Sequence, residues 1–263
     1  MRYHYGNTVC ISTQVGCKMG CAFCASGALE AQPSQLVALD YLRQINTCLL
    51  DNGINSADYK NFYVSFAGIG EPSVCFEEVK FGMKMIHDVY PNVRFNIATM
   101  GYRAESIREW GKDGLPIRTL QIPLYHTETE KIKEIVKNLP AKYELSEVIN
   151  EAVKYKQEHN ECRIKINYIP FEGINDGDRD IEIFSNFLEP YKNDISLKVS
   201  VLNYTLPASE NGYFGVGIEK LEVICQFFKD RGFEAYVFGS EKNTMLGCGQ
   251  LAQNHISDDK YQQ

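Results

Sequence analysis

Short β-rich runs alternate with amphipathic stretches along this 263-residue chain, and that alternation constrains the fold more than any other feature. β-Branched and aromatic residues predict strands at Thr8–Ser12, Asn61–Phe66, Arg94–Ala98, Thr119–Leu124, Arg163–Tyr168 and Leu197–Leu202. Helical periodicity predicts Ser34–Leu50, Phe76–Val89, Arg103–Trp110, Leu145–Glu158, Asp178–Leu188 and Gly217–Asp230 between and after them. In the first helix, Leu36, Leu39, Leu42 and Ile45 recur every three residues, and Val37, Tyr41, Cys48 and Leu49 widen the apolar face. Six βα units imply parallel strands with right-handed crossovers. Six strands are too few for the closed eight-stranded barrel, so the expected α/β fold is an open, partial (βα)6 barrel. A further strand is expected at Glu234–Gly239, followed by a loop over 241–256 that carries Cys248, then a loose polar tail over 257–263. With no Pro-, Gly- or Ser-rich linker inside it, the chain is expected to form one domain, 1–263, with its core over about 8–240.

Three cysteines, in Cys17-Lys-Met-Gly-Cys21-Ala-Phe-Cys24, carry the strongest chemical signal. An iron–sulfur cluster normally takes four thiolates, so three would leave one iron open to another ligand. A zinc knot is the competing reading, but it needs a fourth Cys or His as a close partner, and no second paired motif occurs. The loop follows the first predicted strand, at the carboxyl end where barrels of parallel strands collect their active groups.

The other cysteines divide by context. Nine in all, an odd number with no secretion signal, argue for a reducing compartment and a cytoplasmic protein. Cys48, Cys75, Cys162 and Cys225 lie in apolar or amphipathic stretches and read as buried spectators. Cys10 stands seven residues before Cys17, and Cys248 lies between two glycines in Leu246-Gly-Cys-Gly-Gln-Leu-Ala252; with a cluster loop beside them they become candidates for a redox thiol pair. Ala67-Gly-Ile-Gly-Glu-Pro72 follows the second strand, where Gly70 lets backbone approach a ligand and Glu71 offers a carboxylate to an ammonium group.

No run approaches the roughly 18 apolar residues of a membrane span, so no membrane partner is expected. A net charge of −7 is a poor footprint for holding long nucleic acid unaided. The densest basic cluster, Lys131, Lys133, Lys137 and Lys142, is interleaved with Glu128, Glu130 and Glu134 and reads as a solvated helix face.

Cys10-Ile-Ser-Thr-Gln-Val-Gly-Cys17, the three-cysteine loop, Gly70-Glu-Pro72, Asn203 and Cys248-Gly-Gln-Leu-Ala252 together resemble the radical S-adenosylmethionine (SAM) RNA adenine methyltransferases of the RlmN/Cfr class, from about Thr8 to Gln253. The resemblance implies a 4Fe–4S cluster on Cys17, Cys21 and Cys24 and SAM on its open iron. It implies SAM contacts at Gly70, Glu71, Asn203 and the positions of Ala98, Pro123, Leu124 and Tyr125. Ala98, Pro123 and Tyr125 stand where the family has two serines and a histidine, Leu124 keeps the family's leucine, and His126 stands beside Tyr125 as a neighbouring imidazole, read here as a surface histidine. It further implies that Cys248 is methylated, that its methyl carbon joins an sp2 amidine carbon, and that Cys10 releases the product by forming a disulfide with Cys248. An electron donor such as flavodoxin or ferredoxin is implied as well. The family carries an N-terminal accessory domain ahead of the first strand, and this sequence reads as a form without it.

Two substrate classes therefore stand open: adenine in rRNA or tRNA, and a smaller heteroaromatic compound or nucleotide. A radical SAM enzyme of the same fold doing non-methyltransfer chemistry on a small molecule or peptide is the alternative activity, but it has no need of both Cys10 and Cys248. A non-enzymatic redox or metal-binding protein has no use for Gly70-Glu71.

Overall fold

Alternation of side chains along the strands builds the sheet and separates its two faces. The computed structural model describes residues 7–29, 33–239 and 249–252. Seven strands, β1 (Thr8–Ile11), β4 (Phe62–Phe66), β5 (Val93–Ala98), β6 (Ile117–Leu124), β7 (Arg163–Tyr168), β8 (Ile195–Ser200) and β9 (Glu234–Phe238), form one parallel sheet in that order. β1 and β9 are its two edges, so among the described residues the sheet is an open partial barrel, as the repeat count implies. The C-terminal strand lies where it was expected.

In β4, Phe62, Val64 and Phe66 are buried while Tyr63 and Ser65 are half-exposed; in β5, Val93, Phe95 and Ile97 alternate likewise with Arg94, Asn96 and Ala98. The first set joins the core with the apolar stripes of α1 (Ala38–Asn52), α2 (Phe76–Val89), α3 (Ser106–Gly111), α5 (Leu145–Glu158), α6 (Asp178–Leu188) and α8 (Ile218–Asp230). The second set carries polar cross-strand bonds, Asn96 to Ser65 Oγ at 3.1 Å and Ser200 Oγ to Asn167 Oδ1 at 2.5 Å.

The first helix departs from the sequence reading. Ser34–Gln35 is a short strand, β3, antiparallel to β2 (Gln14–Val15), and α1 begins only at Ala38. Leu36 N–H donates to Thr13 O at 3.0 Å and Asp40 Oδ2 accepts Val37 N–H at 3.2 Å, so the leucine periodicity runs on through the helix cap. At the other end Gly53 adopts a left-handed φ of 61° and closes the helix at Asn52. The last core strand is also set back, at Ile195–Ser200 instead of Leu197–Leu202. Two short helices went unread, α4 (Thr129–Ile135) and α7 (Leu206–Glu210); the α4 lysines pair with Glu130 and Glu134, as expected of a solvated face.

Cys48, Cys75, Cys162 and Cys225 are buried in the core. Burial pushes the Cys162 thiol up to about 12 and the Cys75 thiol up to about 11, which keeps both protonated and unreactive. No helix among the described residues is long and apolar enough to cross a membrane.

The α1–α2 contact sets one tight limit. A Cβ on Gly82 would stand 2.4 Å from the ring of Tyr41, itself fully buried. Gly82→Val is expected to lower unfolding free energy by about 1–3 kcal/mol through overpacking. Urea denaturation checks this, and an unchanged midpoint would show that the two helices pack with slack.

Candidate active site

The site begins where β1 leaves the sheet. Thr13 N–H donates to Ile69 O at 2.8 Å, Ile69 N–H to Ser12 Oγ at 3.0 Å, and Glu71 N–H to Gln14 Oε1 at 3.0 Å. These bonds staple the loop after β1 to the glycine loop after β4. Gly70 has a φ of 109°, and a Cβ there would fall 2.5 Å from Thr13 Oγ1, so only glycine fits.

Glu71 is buried, and the chain satisfies its carboxylate. Oε1 accepts from Ser73 N at 3.0 Å, from Ser73 Oγ at 2.6 Å and from Thr99 Oγ1; Oε2 accepts from Met100 N at 2.8 Å. Burial raises its pKa, and those hydrogen bonds offset only part of the rise. The carboxylate thereby locks the loop after β5 to the loop after β4.

The cysteine loop is gripped from three directions. Cys21 bridges to Val136, and Ala22 N–H donates to Ile135 O at 2.9 Å. Phe23 is buried among Tyr125, Phe171 and Tyr213, with ring centroids at 5.3, 5.2 and 6.4 Å, and its carbonyl accepts Thr205 Oγ1 at 2.6 Å. Ala25 N–H donates to Gly249 O at 2.9 Å, and Cys24 Sγ lies 3.9 Å from the same carbonyl.

Cys17, Cys21 and Cys24 line one cavity of about 210 Å³ together with Gly70, Glu71, Ala98, Tyr125 and Asn203. Leu124 is instead buried in the core, and neither it nor Pro123 is part of the cavity wall. His126 accepts Glu128 N–H at 3.0 Å and sets its ring against Phe184. Cys10 is not on the wall either. It pairs in register with Ser65, two residues before the wall residue Ala67, and borders a separate recess with Arg43, Gln44, Thr47 and Cys48. Cys248, like most of the loop around it and the polar tail, lies outside the described residues; Gly249 and Leu251 line the cavity.

The donor set suits a cluster. Burial pushes the Cys17 thiol up to about 12 and the Cys21 thiol well above its ordinary value, and the charges of the neighbouring cysteines and Glu71 add to both shifts. Cys17 and Cys21 in such a place ionise only against a strong local cation, which an iron cluster supplies. Among the described residues no three His, Cys, Asp or Glu side chains converge as a single ion would require. A cubane with one iron per thiolate makes no such demand.

Sequence reading overlooked much of the wall: Gln121 on β6, Asn167 on β7, and Lys198 and Ser200 on β8, besides the Ser73, Thr99 and Met100 partners of Glu71. A signal was there. Each of the four is a polar residue flanked on both sides in the sequence by apolar or aromatic neighbours.

No protein-family model matches the chain. It is 30% identical over 265 residues to a probable dual-specificity RNA methyltransferase RlmN of Alkaliphilus oremlandii (strain OhILAs), covering 98% of this chain and 72% of that protein. A protein of the same description from Clostridium perfringens (strain 13 / Type A) is 30% identical over 266 residues, covering 97% and 71%. Among solved structures, a radical SAM methyltransferase from Sphaerobacter thermophilus superposes with a TM-score of 0.79 at 23% identity, over 94% of this chain and 71% of that one, which shows a shared fold.

Phe23 is the residue on which the cysteine loop turns inward. Phe23→Ala is expected to cost about 3 kcal/mol or more of local packing and to lower iron and sulfide per protein after anaerobic reconstitution, with all three cysteines still in place. Full cluster loading in that variant would show that the thiols alone order the loop.

Proposed function

Since the chain belongs to the RlmN family of radical SAM RNA methyltransferases, we propose that it methylates an sp2 amidine carbon of adenine in RNA, by way of a methylated Cys248. It is a SAM-dependent enzyme, and the family's cofactors are a 4Fe–4S cluster and SAM. Cys17, Cys21 and Cys24 hold the cluster, while the Gly70 loop, Ala98, Tyr125 and Asn203 border the space for SAM. When bound, these two groups supply the electron, the hydrogen-abstracting radical and the methyl group.

One observation carries the reading. Gly249, the residue after Cys248, is hydrogen-bonded to the cysteine loop at Ala25 and faces Cys24. The residue that follows Cys248 in the chain is thus anchored on the cysteine loop, which supports the reading. An amidine carbon is electrophilic and too poor a nucleophile to take a methyl group from SAM directly, so a sulfur-tethered carbon is needed. Cys10 then attacks the Cys248 sulfur, breaking its bond to carbon as a disulfide forms. It is in register with Ser65, and Ser65 with Asn96, which stand two residues, roughly 7 Å of extended chain, before the wall residues Ala67 and Ala98. Glu71, whose Oε1 is taken up by the chain while Oε2 accepts Met100 N–H alone, acts on the SAM ammonium with its charge, alongside the adjoining backbone.

The reading comprises one folding domain, an rRNA or tRNA adenine as substrate, a small reduced carrier such as flavodoxin or ferredoxin as electron source, and a cytoplasmic setting where these thiols stay reduced. A free nucleotide or other small heteroaromatic is the alternative substrate.

Two variants test it. Protein made with cluster-assembly support is expected to carry one added methyl group, absent in Cys248→Ala, by intact-mass analysis. Cys10→Ala is expected to retain a covalent nucleotide, whose digestion names the substrate. SAM cleavage without any Cys248 methyl would point to other radical chemistry, and normal turnover by Cys10→Ala would remove the resolving role from that thiol.

A further inference from the structure

Lys198 is a lysine turned into the cavity. It stands on β8 in register with Asn167 of β7, only 7% exposed. Its side chain crosses β7 to reach β6, where Nζ donates to Gln121 Oε1 at 3.2 Å, and the ammonium lies 3.8 Å from the centroid of the Phe238 ring. All four of these residues border the space that the three cluster cysteines border.

We infer that Lys198 selects the base entering this cavity: its ammonium, together with the amide N–H groups of Gln121 and Asn167, donates to the in-plane ring nitrogens that flank the target carbon. An ammonium is donor-only, so Gln121 must offer it the carbonyl oxygen and is left with its amide N–H pair toward the cavity. Ser200 Oγ donates to Asn167 Oδ1 at 2.5 Å, which orients the second amide in the same sense. One wall thus presents donors, while Met19, Phe23, Ile169 and Leu202 offer apolar surface elsewhere around the space. A flat ring with lone pairs in its edge and apolar faces suits that pairing. Adenine has such an acceptor on both sides of its amidine carbon. Guanine carries an N–H at one of them, which would set donor against donor in a buried site. A cationic donor at a ring nitrogen also draws electron density from the adjacent carbon and makes it a better acceptor for a carbon radical.

This inference rests on the adenine reading, so the test separates the two. Reconstituted holoprotein is titrated with a fluorescent hexaribonucleotide holding a single adenine among uridines, and with its 1-deaza- and 3-deazaadenine analogues. A hydrogen bond from a charged donor corresponds to about a tenfold to hundredfold change in affinity. Lys198→Met is expected to lose about that factor, and Lys198→Arg to keep most of the binding. One of the deaza analogues should cost the wild type the same factor and cost Lys198→Met nothing more. Should the methionine variant fail to fold, Gln121→Leu, which removes the carbonyl that holds the ammonium, enters the same series with the same expectation. Equal affinity of wild type and Lys198→Met, or an equal deaza penalty in both, overturns the inference alone. A wild type that does not distinguish the adenine oligonucleotide from oligouridine overturns the substrate reading and this inference with it.

Discussion

The buried carboxylate of Glu71 is the interaction on which the site depends. Taking a charge out of water costs several kcal/mol even after relaxation, and charge-assisted hydrogen bonds return roughly 1.5–3 kcal/mol each. Glu71 collects four of them, from Ser73 twice, Thr99 and Met100, at 4% exposure. Their value lies in position: two come from the loop after β4 and two from the loop after β5. One side chain therefore fixes the spacing of Gly70 and Ala98 along the rim. Gln14, accepting from Glu71 N–H, extends the same frame to the loop after β1, from which the cysteines spring.

An open sheet makes this frame useful. With β1 and β9 left as edges, the concave face is not closed off by side chains as in an eight-stranded barrel, and polar residues can line it. Serine, asparagine, glutamine and lysine fill alternate positions on that face, while the intervening residues stay aliphatic or aromatic against the helices. The strands thus carry two messages at period two, one for stability and one for chemistry.

This explains what was legible in the sequence. The βα repeats were, because each apolar stripe has to be buried and only parallel strands with crossover helices bury them all. The cysteine loop and the Gly70 turn were legible too, because their spacing and steric demands are local. The start of α1 was not, since Leu36 keeps the helical period although hydrogen bonding already commits it to Thr13 O. The saturation of Glu71 was not, since its partners lie two and twenty-eight or more residues away, joined only by the fold. Lys198 escaped for the same reason: a single lysine in a strand reads as an edge or a solvated position until the register sets it beside Asn167.

Charge balance ties these groups together. Glu71 and the three thiols meet around one cavity, and each makes ionisation of its neighbours harder. Left to themselves Cys17 and Cys21 stay protonated, because burial disfavours their charged forms. On the proposed assignment an iron core would reverse that preference and turn mutual repulsion into ligation, so that cluster and folded loop would stabilise each other. The Lys198 ammonium on this wall lies against Phe238, whose ring face offsets part of its desolvation. Held there by Gln121, it is a fixed positive pole on the side of the cavity formed by β8, while Glu71 and the thiolates make the opposite side negative. A molecule entering between them meets a field whose direction the chain has set before binding, and preorganisation of that kind needs no rearrangement of solvent when charge moves.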